Sequence, residues 1–271
     1  NFRHPNVVQL RQMFVHEEHL HLVFELLGES LLKTIQKRTE PFNEDEVRNI
    51  IQQILVGLDA VHSHGFFHRD MKPENLLWGG STLKICDFGL AKEIRSLPPF
   101  TEYISTRWYR APELALLSDR YNSPVDIWAV GAIMIELYTL RPAFQGNSQV
   151  DQLFKIFAVT GSPTMDNWPE GVSLLNHFSV KPNPTSPTPL SVIVPGASPE
   201  ALDLLSGLLQ LNPARRLNAK HALAHPFFTG TPSPRRNLSS HNSSRSTSSA
   251  STPRTPRTSP GPPMSISRPQ P

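Results

Sequence analysis

Cysteine is almost absent: Cys86 is the only one in 271 residues. A lone thiol forms no intrachain disulfide and builds no cysteine-based zinc cluster, so apolar burial must hold the fold together. Long apolar runs are also missing. None approaches the eighteen or more residues that a membrane-spanning helix needs, which excludes insertion by a helix of that kind. The chain opens at Asn1 in mid-pattern, as a fragment does, and shows no signal-peptide pattern. Lysine, aspartate and glutamate are all absent from 231–271, which carries six arginines. Subtracting that +6 from the formal net charge of +3 leaves 1–230 at −3, with 20 basic against 23 acidic residues. The isoelectric point near 9.1 is therefore a property of the tail. A nucleic-acid-binding core would carry its basic surface itself, and the tail's arginines are dispersed without RG or RS repeats, so no nucleic-acid partner is expected.

The length allows one large domain or two modest ones. From Gly230 onward the composition turns to Ser, Thr, Pro and Arg, with too little apolar surface to offset the entropy of ordering. We expect a folded domain over 1–229 and a disordered tail over 230–271. Within the domain, 7–10 and 20–27 read as strands around a His16-Glu17-Glu18-His19 turn. Asn43 with Glu46 three residues on is a capping box, and Val47, Ile50, Ile51, Ile54, Leu55, Leu58 and Val61 repeat at helical spacing. This predicts a helix over 44–63, closed by Gly65. A hairpin is expected over 75–86, with Gly79 and Gly80 in its turn. Further helices are expected near 124–140 (apolar nearly all round), 148–160, 199–211 and 221–228, with a Pro- and Ser-rich loop over 181–199. The fold class is α+β, mostly helical with a few short strands.

One stretch carries chemistry. Phosphoryl transfer needs a group to orient the attacking hydroxyl, a cation for the transferring phosphate, and hard oxygen ligands for magnesium. His68-Arg69-Asp70-Met71-Lys72-Pro73-Glu74-Asn75 and Asp87-Phe88-Gly89 supply all three: Asp70 as base, Lys72 as cation, Asn75 and Asp87 as Mg²⁺ ligands. The predicted hairpin brings the last two together. Each motif alone is a weak sign, and a lone Asp is more often a helix cap. The two in order, with Ala111-Pro112-Glu113 downstream, match the protein-kinase set, Met71 standing for the usual Leu. His62, His64 and His68 lack acidic or cysteine partners at ligand spacing and are read as non-metal, His68 as a core residue holding this loop. Cys86 is read as a small strand residue, Trp128 as core.

At these residues the chain resembles the eukaryotic protein kinases over about 1–228. Thr106-Arg107-Trp108-Tyr109-Arg110-Ala111-Pro112-Glu113 is similar to the CMGC group, while 65–77 and Trp168-Pro169-Glu170-Gly171 most resemble its RCK family. The resemblance implies a protein-kinase-like fold: a helical C-terminal lobe with a remnant of the small-lobe sheet and hinge. It implies ATP and Mg²⁺ as cofactors, with Phe24 as gatekeeper and Glu25, Leu26 and Leu27 as the hinge whose backbone binds adenine. Ser30 falls at the ribose and Leu77 beneath the adenine. Thr101-Glu102-Tyr103 resembles a dual-phosphorylation T-x-Y switch served by an upstream kinase, its phosphate pairing with Arg69 and Arg110. Thr106 is implied to bond near Asp70 and Lys72, Glu113 to pair with Arg216, and Asp126 to hold the catalytic-loop backbone. Substrates are implied to be Ser or Thr followed by Pro, and the protein a monomer inside the cell, in cytoplasm, nucleus or cilium.

The pattern is incomplete in one respect. These residues contain no G-x-G-x-x-G, no Val-Ala-Ile-Lys strand and no helix-C glutamate, and 1–8 resembles the segment just after that helix. As given, the chain is expected to bind ATP weakly and to transfer phosphate negligibly. The competing reading is a non-catalytic pseudokinase or scaffold; against it, Asp70, Lys72, Asn75 and Asp87 are all retained. In the tail, Thr231, Ser233, Thr252, Thr255 and Ser259 each precede Pro; two readings stand, that a Ser- and Pro-rich composition produces such dipeptides by itself, or that they are phosphorylated by this or another proline-directed kinase.

Overall fold

A computed structural model of the chain describes residues 2–96, 106–177 and 185–230. The chain partitions into a unit spanning Asn1–Ser233 and a second spanning Pro234–Pro271, which lies outside the described residues, as do the tail's Ser/Thr-Pro positions.

The chain begins with a hairpin, β1 (Leu10–His16) and β2 (His19–Phe24), paired antiparallel from Leu10↔Phe24 to His16↔His19. The first strand was expected at 7–10 and lies later. Val7 makes only a single bridge to Ile85, and Val8 N–H donates to the Ile85 carbonyl at 2.9 Å. Residues 7 and 8 therefore extend the edge of a later strand. Residues 25–29 follow β2, and Ser30 caps the short α1 (Leu31–Gln36).

α2 (Glu44–Ser63) forms as its sequence dictates. Asn43 Oδ1 accepts from Glu46 N–H at 2.9 Å, and the Glu46 carboxylate accepts from Asn43 N–H at 2.8 Å. Glu44, Asp45 and Glu46 in the first turn favour the positive end of the helix dipole. Its apolar residues are buried, and Gly65 at φ +84° turns the chain out, a conformation that costs other residues free energy. It then leads through β3 (Phe66–Phe67) to the motif loop. A 3₁₀ turn at Pro73–Asn75 opens the second hairpin, β4 (Leu76–Gly79) and β5 (Thr82–Ile85). Gly57 lets α2 approach this hairpin: a Cβ there would meet Asn6 O at 2.9 Å and Ile85 Cδ1 at 2.8 Å. β6 (Lys92–Glu93) pairs with β3.

The remaining elements build around one buried helix. After α3 (Pro112–Ala115), α4 (Pro124–Thr139) has every residue from Val125 to Leu137 buried, which is why its sequence is apolar all round. Trp128 stacks on Phe144 at 5.5 Å with the Arg216 guanidinium 5.3 Å from its ring. α5 (Gln149–Thr160), α6 (Pro169–Asn176), α7 (Leu190–Ile193) and α8 (Pro199–Leu208) complete the body. α7 lies inside the stretch expected to be a loop. The single helix expected at 221–228 is two, α9 (Ala219–Leu223) and α10 (Pro226–Thr229). Pro226 has no N–H to continue the first, so His225 caps the second, its ring nitrogen accepting from Phe227 N–H at 3.2 Å. Among the described residues no helix is long and apolar enough to cross a membrane.

Candidate active site

The site is assembled on the loop between β3 and β4. Arg69 has φ +73°, a left-handed conformation that costs a non-glycine residue roughly 1–2 kcal/mol. Asp126, on the first turn of α4, holds it there. Its Oδ1 accepts from Arg69 N–H and its Oδ2 from His68 N–H, both at 2.8 Å, and His62 Nε2 adds a third bond at 2.8 Å. Burial alone would raise the Asp126 carboxyl, but the hydrogen bond and charge of His62, with His68 beside it, hold it below its ordinary value. His68 is wholly buried and works from both ring nitrogens. Its Nδ1 accepts from Asp70 N–H at 3.2 Å, so Nε2 carries the proton and donates to the Cys86 carbonyl at 2.8 Å. That one ring ties the Asp70 loop to the residue before Asp87.

Asp70 Oδ2 accepts from Lys72 Nζ at 2.7 Å and from Asn75 Nδ2 at 3.1 Å. Asn75 Nδ2 also donates to the Asp70 carbonyl at 2.8 Å. Since both partners only accept, the amide nitrogen must face Asp70, which leaves Asn75 Oδ1 as an oxygen ligand directed elsewhere. The Cys86 N–H donates to the Asn75 carbonyl at 2.9 Å, placing Asp87 one residue further along. Asp87 is exposed and left-handed at φ +62°, with Gly89 N–H its nearest donor at 3.3 Å. Asp70, Lys72 and Asn75 are thus bonded together with Asp87 carried alongside, and this oxygen set has the hardness that Mg²⁺ requires. Cys86 lies one residue past β5 rather than in the strand expected; it is buried, and burial pushes its thiol up to about 11, which disfavours the nucleophilic thiolate.

Residues 25–28 lie against the second hairpin. Glu25 N–H donates to Gln9 O at 3.0 Å, and Gly28 N–H to Trp78 O at 2.6 Å. The Glu25 side chain accepts from Lys84 Nζ at 2.8 Å and from Gln9 N–H at 2.9 Å. Burial works to raise this carboxyl, but those bonds and the charge of Lys84 hold it low. Among the described residues the Leu27 backbone has no hydrogen-bond partner. The cavity against the hinge, about 590 Å³, is lined by Glu25, Leu26, Leu27, Gly28, Trp78 and Lys84 among others. Ser30, Leu77, Asn75 and Asp87 are not among its walls, so it is not the nucleotide pocket expected from the sequence. Ser30 Oγ accepts from Lys33 N–H at 3.3 Å as a helix cap. Leu77 is half-buried and bridges Ser30 across the hinge.

Thr106, Arg69 and Arg110 line one crevice with Asp70. Thr106 is exposed at the edge of this crevice. Asp70 Oδ2 is already taken by Lys72 and Asn75. Thr101 and Tyr103 lie outside the described residues. Arg69 Nη2 donates to the Tyr121 hydroxyl at 2.6 Å. Glu113 and Arg216 form a bidentate pair at 2.8 and 2.9 Å, both side chains almost fully buried. Arg216 also donates to the carbonyls of Gln210, Pro124 and Leu211. His62 and His64 point apart, His64 Nδ1 donating to the Ala60 carbonyl at 2.7 Å.

Sequence reasoning missed three supports. His62 against Asp126 was signalled only by its helical face. Asn6, whose Nδ2 donates to Leu83 O at 2.9 Å, and Gln53, whose Oε1 accepts from Leu83 N–H at 2.7 Å, fasten the second hairpin to α2. Tyr109 donates its hydroxyl to Glu136 Oε2 at 2.7 Å, deep under the Arg107–Arg110 segment. Burial pushes the Glu136 carboxyl up to about 7 and raises Tyr109 well above its ordinary value.

Residues 1–228 match the family described as the protein kinase domain. The serine/threonine-protein kinase MAK of Mus musculus is 50% identical over 226 residues, covering 83% of this chain and 36% of that protein. The serine/threonine-protein kinase ICK of the same organism is 51% identical over 226 residues, with the same two coverages. Cyclin-dependent kinase F-3 of Oryza sativa subsp. japonica is 46% identical over 242 residues, 89% of this chain and 56% of that protein. The chain thus spans between about a third and just over half of the length of these relatives. With the Asp70, Asn75 and Asp87 constellation built as above, and that match running through it, this chain belongs to the protein kinase domain family.

Proposed function

We propose that the chain carries the phosphoacceptor side of an ATP-dependent serine/threonine kinase site that prefers Pro after the acceptor. The observation that carries the reading is the bonded set of Asp70, Lys72 and Asn75, with Asp87 tied to it through His68. Asp70 accepts the hydrogen bond of the incoming Ser or Thr hydroxyl, orients its oxygen and takes its proton. Lys72, held by Asp70 until substrate arrives, neutralises the oxygens of the moving phosphoryl group. Asn75 Oδ1 and the Asp87 carboxylate would hold Mg²⁺, which supplies charge neutralisation on the phosphates when bound. The Glu25 carbonyl and the Leu27 N–H offer an acceptor and a donor for adenine, and Ser30 a donor for ribose. Phosphate on Thr101 or Tyr103, placed there by an upstream kinase, would pair with Arg69 and Arg110 across their shared crevice and order the segment by charge-assisted hydrogen bonds. Thr106, at the lip of that crevice, would reach the acceptor site once the segment is ordered.

These 271 residues contain neither a Gly-rich phosphate loop nor its strand lysine, so alone they are expected to turn over at background. The test joins them to the small lobe of the mouse MAK relative and measures transfer from ATP to a Ser-Pro peptide. The joined protein should turn over, and Asp70→Asn or Lys72→Met should lower kcat by roughly 10²–10⁴-fold. A folded joined protein with no turnover would sink this reading in favour of a non-catalytic scaffold.

A further inference from the structure

Arg69 is almost fully buried, and the contacts of its guanidinium reach two distant segments. Nη2 donates to the Tyr121 hydroxyl at 2.6 Å, and Nη1 donates to the Leu90 carbonyl at 3.3 Å. Both of these acceptors are neutral, so they orient the guanidinium without cancelling its charge. Tyr121 stands just ahead of α4, and its own place is fixed. Its ring meets Phe67 edge-on at 6.2 Å, with the Arg69 guanidinium carbon 5.5 Å from its centroid. The next residue, Asn122, donates from Nδ2 to the Ile94 carbonyl at 3.0 Å. Burial raises the Tyr121 hydroxyl above its ordinary value, against the pull of the Arg69 and Arg110 charges, so it stays protonated at neutral pH. That pull puts both cations of the crevice within reach of one hydroxyl.

We infer that Tyr121 is a positioning residue for a phosphate site: its hydroxyl fixes the Arg69 guanidinium in the plane in which Arg69 and Arg110 receive a phosphoryl group. The inference rests on the reading above that these two arginines pair with phosphate. Arginine holds an oxyanion well because its planar fork presents paired N–H groups, and that advantage depends on the plane being held. A side chain left to rotate gives up its rotamer freedom when the ion arrives, which weakens binding. A carboxylate in place of Tyr121, standing to Arg69 as Glu113 stands to Arg216, would hold the plane but neutralise the charge that phosphate needs. A hydroxyl does the first without the second. Asp126 grips the Arg69 backbone at 2.8 Å while Tyr121 grips the far end of its side chain. The start of α4 and the residues just before it therefore set both ends of Arg69.

The test is a titration of the whole chain with inorganic phosphate at low salt, followed by NMR of the arginine guanidinium groups, in wild type, Tyr121→Phe and Arg110→Gln. Wild type should bind with a Kd of about a few millimolar, moving the Arg69 signals, and Arg110→Gln should lose that binding. Tyr121→Phe keeps the ring against Phe67 and removes only the hydroxyl, so it should fold and bind about 10-fold more weakly, the effect of one hydrogen bond to a charged group. Before phosphate is added, the same variant should average the Arg69 guanidinium nitrogens by rotation where wild type resolves them, which a general loosening of packing does not do to one arginine. Tyr138→Phe removes a hydroxyl bonded to Glu44 instead, and should leave both readouts unchanged. Phosphate affinity in Tyr121→Phe equal to or above that of wild type overturns the inference and leaves the crevice reading standing. Wild type that binds no phosphate at about 50 mM, or binding that survives in Arg110→Gln, removes the crevice reading and this inference with it.

Discussion

Glu136 lies on α4 with 1% of its surface exposed, and its carboxyl titrates near 7 because burial disfavours the charged form. Tyr109 donates a hydrogen bond that pulls the value down, while the charge of Glu74, whose Oε2 is buried without a hydrogen-bond partner, pushes it up. The folded-state value is raised above the unfolded one, so the folded protein binds the extra proton between about pH 4.5 and about 7. The stability this contributes is complete below 4.5 and is lost as pH rises through about 7. At ~1.4 kcal/mol per pH unit the loss amounts to roughly 3 kcal/mol. Urea unfolding of wild type and Glu136→Gln at pH 5.5 and 8 should show the variant relatively more stable at the higher pH. Equal pH dependence in the two proteins would refute the assignment. Tyr109→Phe should move the Glu136 titration up and Glu74→Gln should move it down, which carboxyl-resolved NMR can follow. Asp126 has the opposite sign: its folded value is lowered, so its contribution is present above the unfolded carboxylate range and is lost only in acid.

At the scale of elements, the ends of α3 and α4 make a controlled pair. Leu117 follows α3 at φ +56° and Leu140 closes α4 at φ +55°, both unfavourable for a branched side chain. The Leu117 side chain is 57% exposed, whereas Leu140 packs against the core. Leu117→Gly should therefore relieve backbone strain at little packing cost and gain about 0.5–1 kcal/mol after glycine's larger unfolded-state entropy is counted. Leu140→Gly should gain nothing or lose, because the relief is offset by lost burial. Urea midpoints of the two variants decide the matter, and a destabilised Leu117→Gly would contradict it. The same distinction explains what the sequence disclosed. α2 and α4 were legible because burial writes itself as periodicity or as an unbroken apolar run, and α2 because Asn43 and Glu46 mark its start. β1 was misplaced because both its faces are exposed and Met13, Phe14 and Val15 run consecutively, so no alternation marks the strand. In the candidate site, the proximity of Asp70, Lys72, Asn75 and Asp87 was readable because the chemistry expected of them fixes both residue type and spacing. Glu136 with Tyr109, and Asn6 with Gln53, were not: each pairs across tens of residues, and only the packed helices bring them together.

Taken as a whole, the described chain distributes its stability unevenly. The helical body is fastened by polar ties between distant segments: the buried pairs of Glu113 with Arg216 and of Asp126 with the His68 backbone, and the part-buried bond of Arg48 Nε to the Phe227 carbonyl at 2.7 Å. By contrast, every residue of β1 and β2 is exposed, including Met13, Val15, Leu20, Leu22 and Phe24. A two-stranded hairpin with neither face buried is marginal in water, held here by its own ladder and by the joint at Val8 and Glu25. Native-state hydrogen exchange should therefore show two classes of amide. Those of β1 and β2 should open at no more than about 2–3 kcal/mol, and those buried in α2 and α4 only with global unfolding. Arg216→Ala leaves Glu113 charged and buried without its partner, and should cost about 3–5 kcal/mol of global stability. That loss should lower protection throughout α2 and α4 while leaving β1–β2 exchange unchanged, because the hairpin already opens below the global limit. Hairpin amides as slow as those of α4, or a hairpin that loosens in step with Arg216→Ala, would show instead that the strands and the helical body unfold as one cooperative unit.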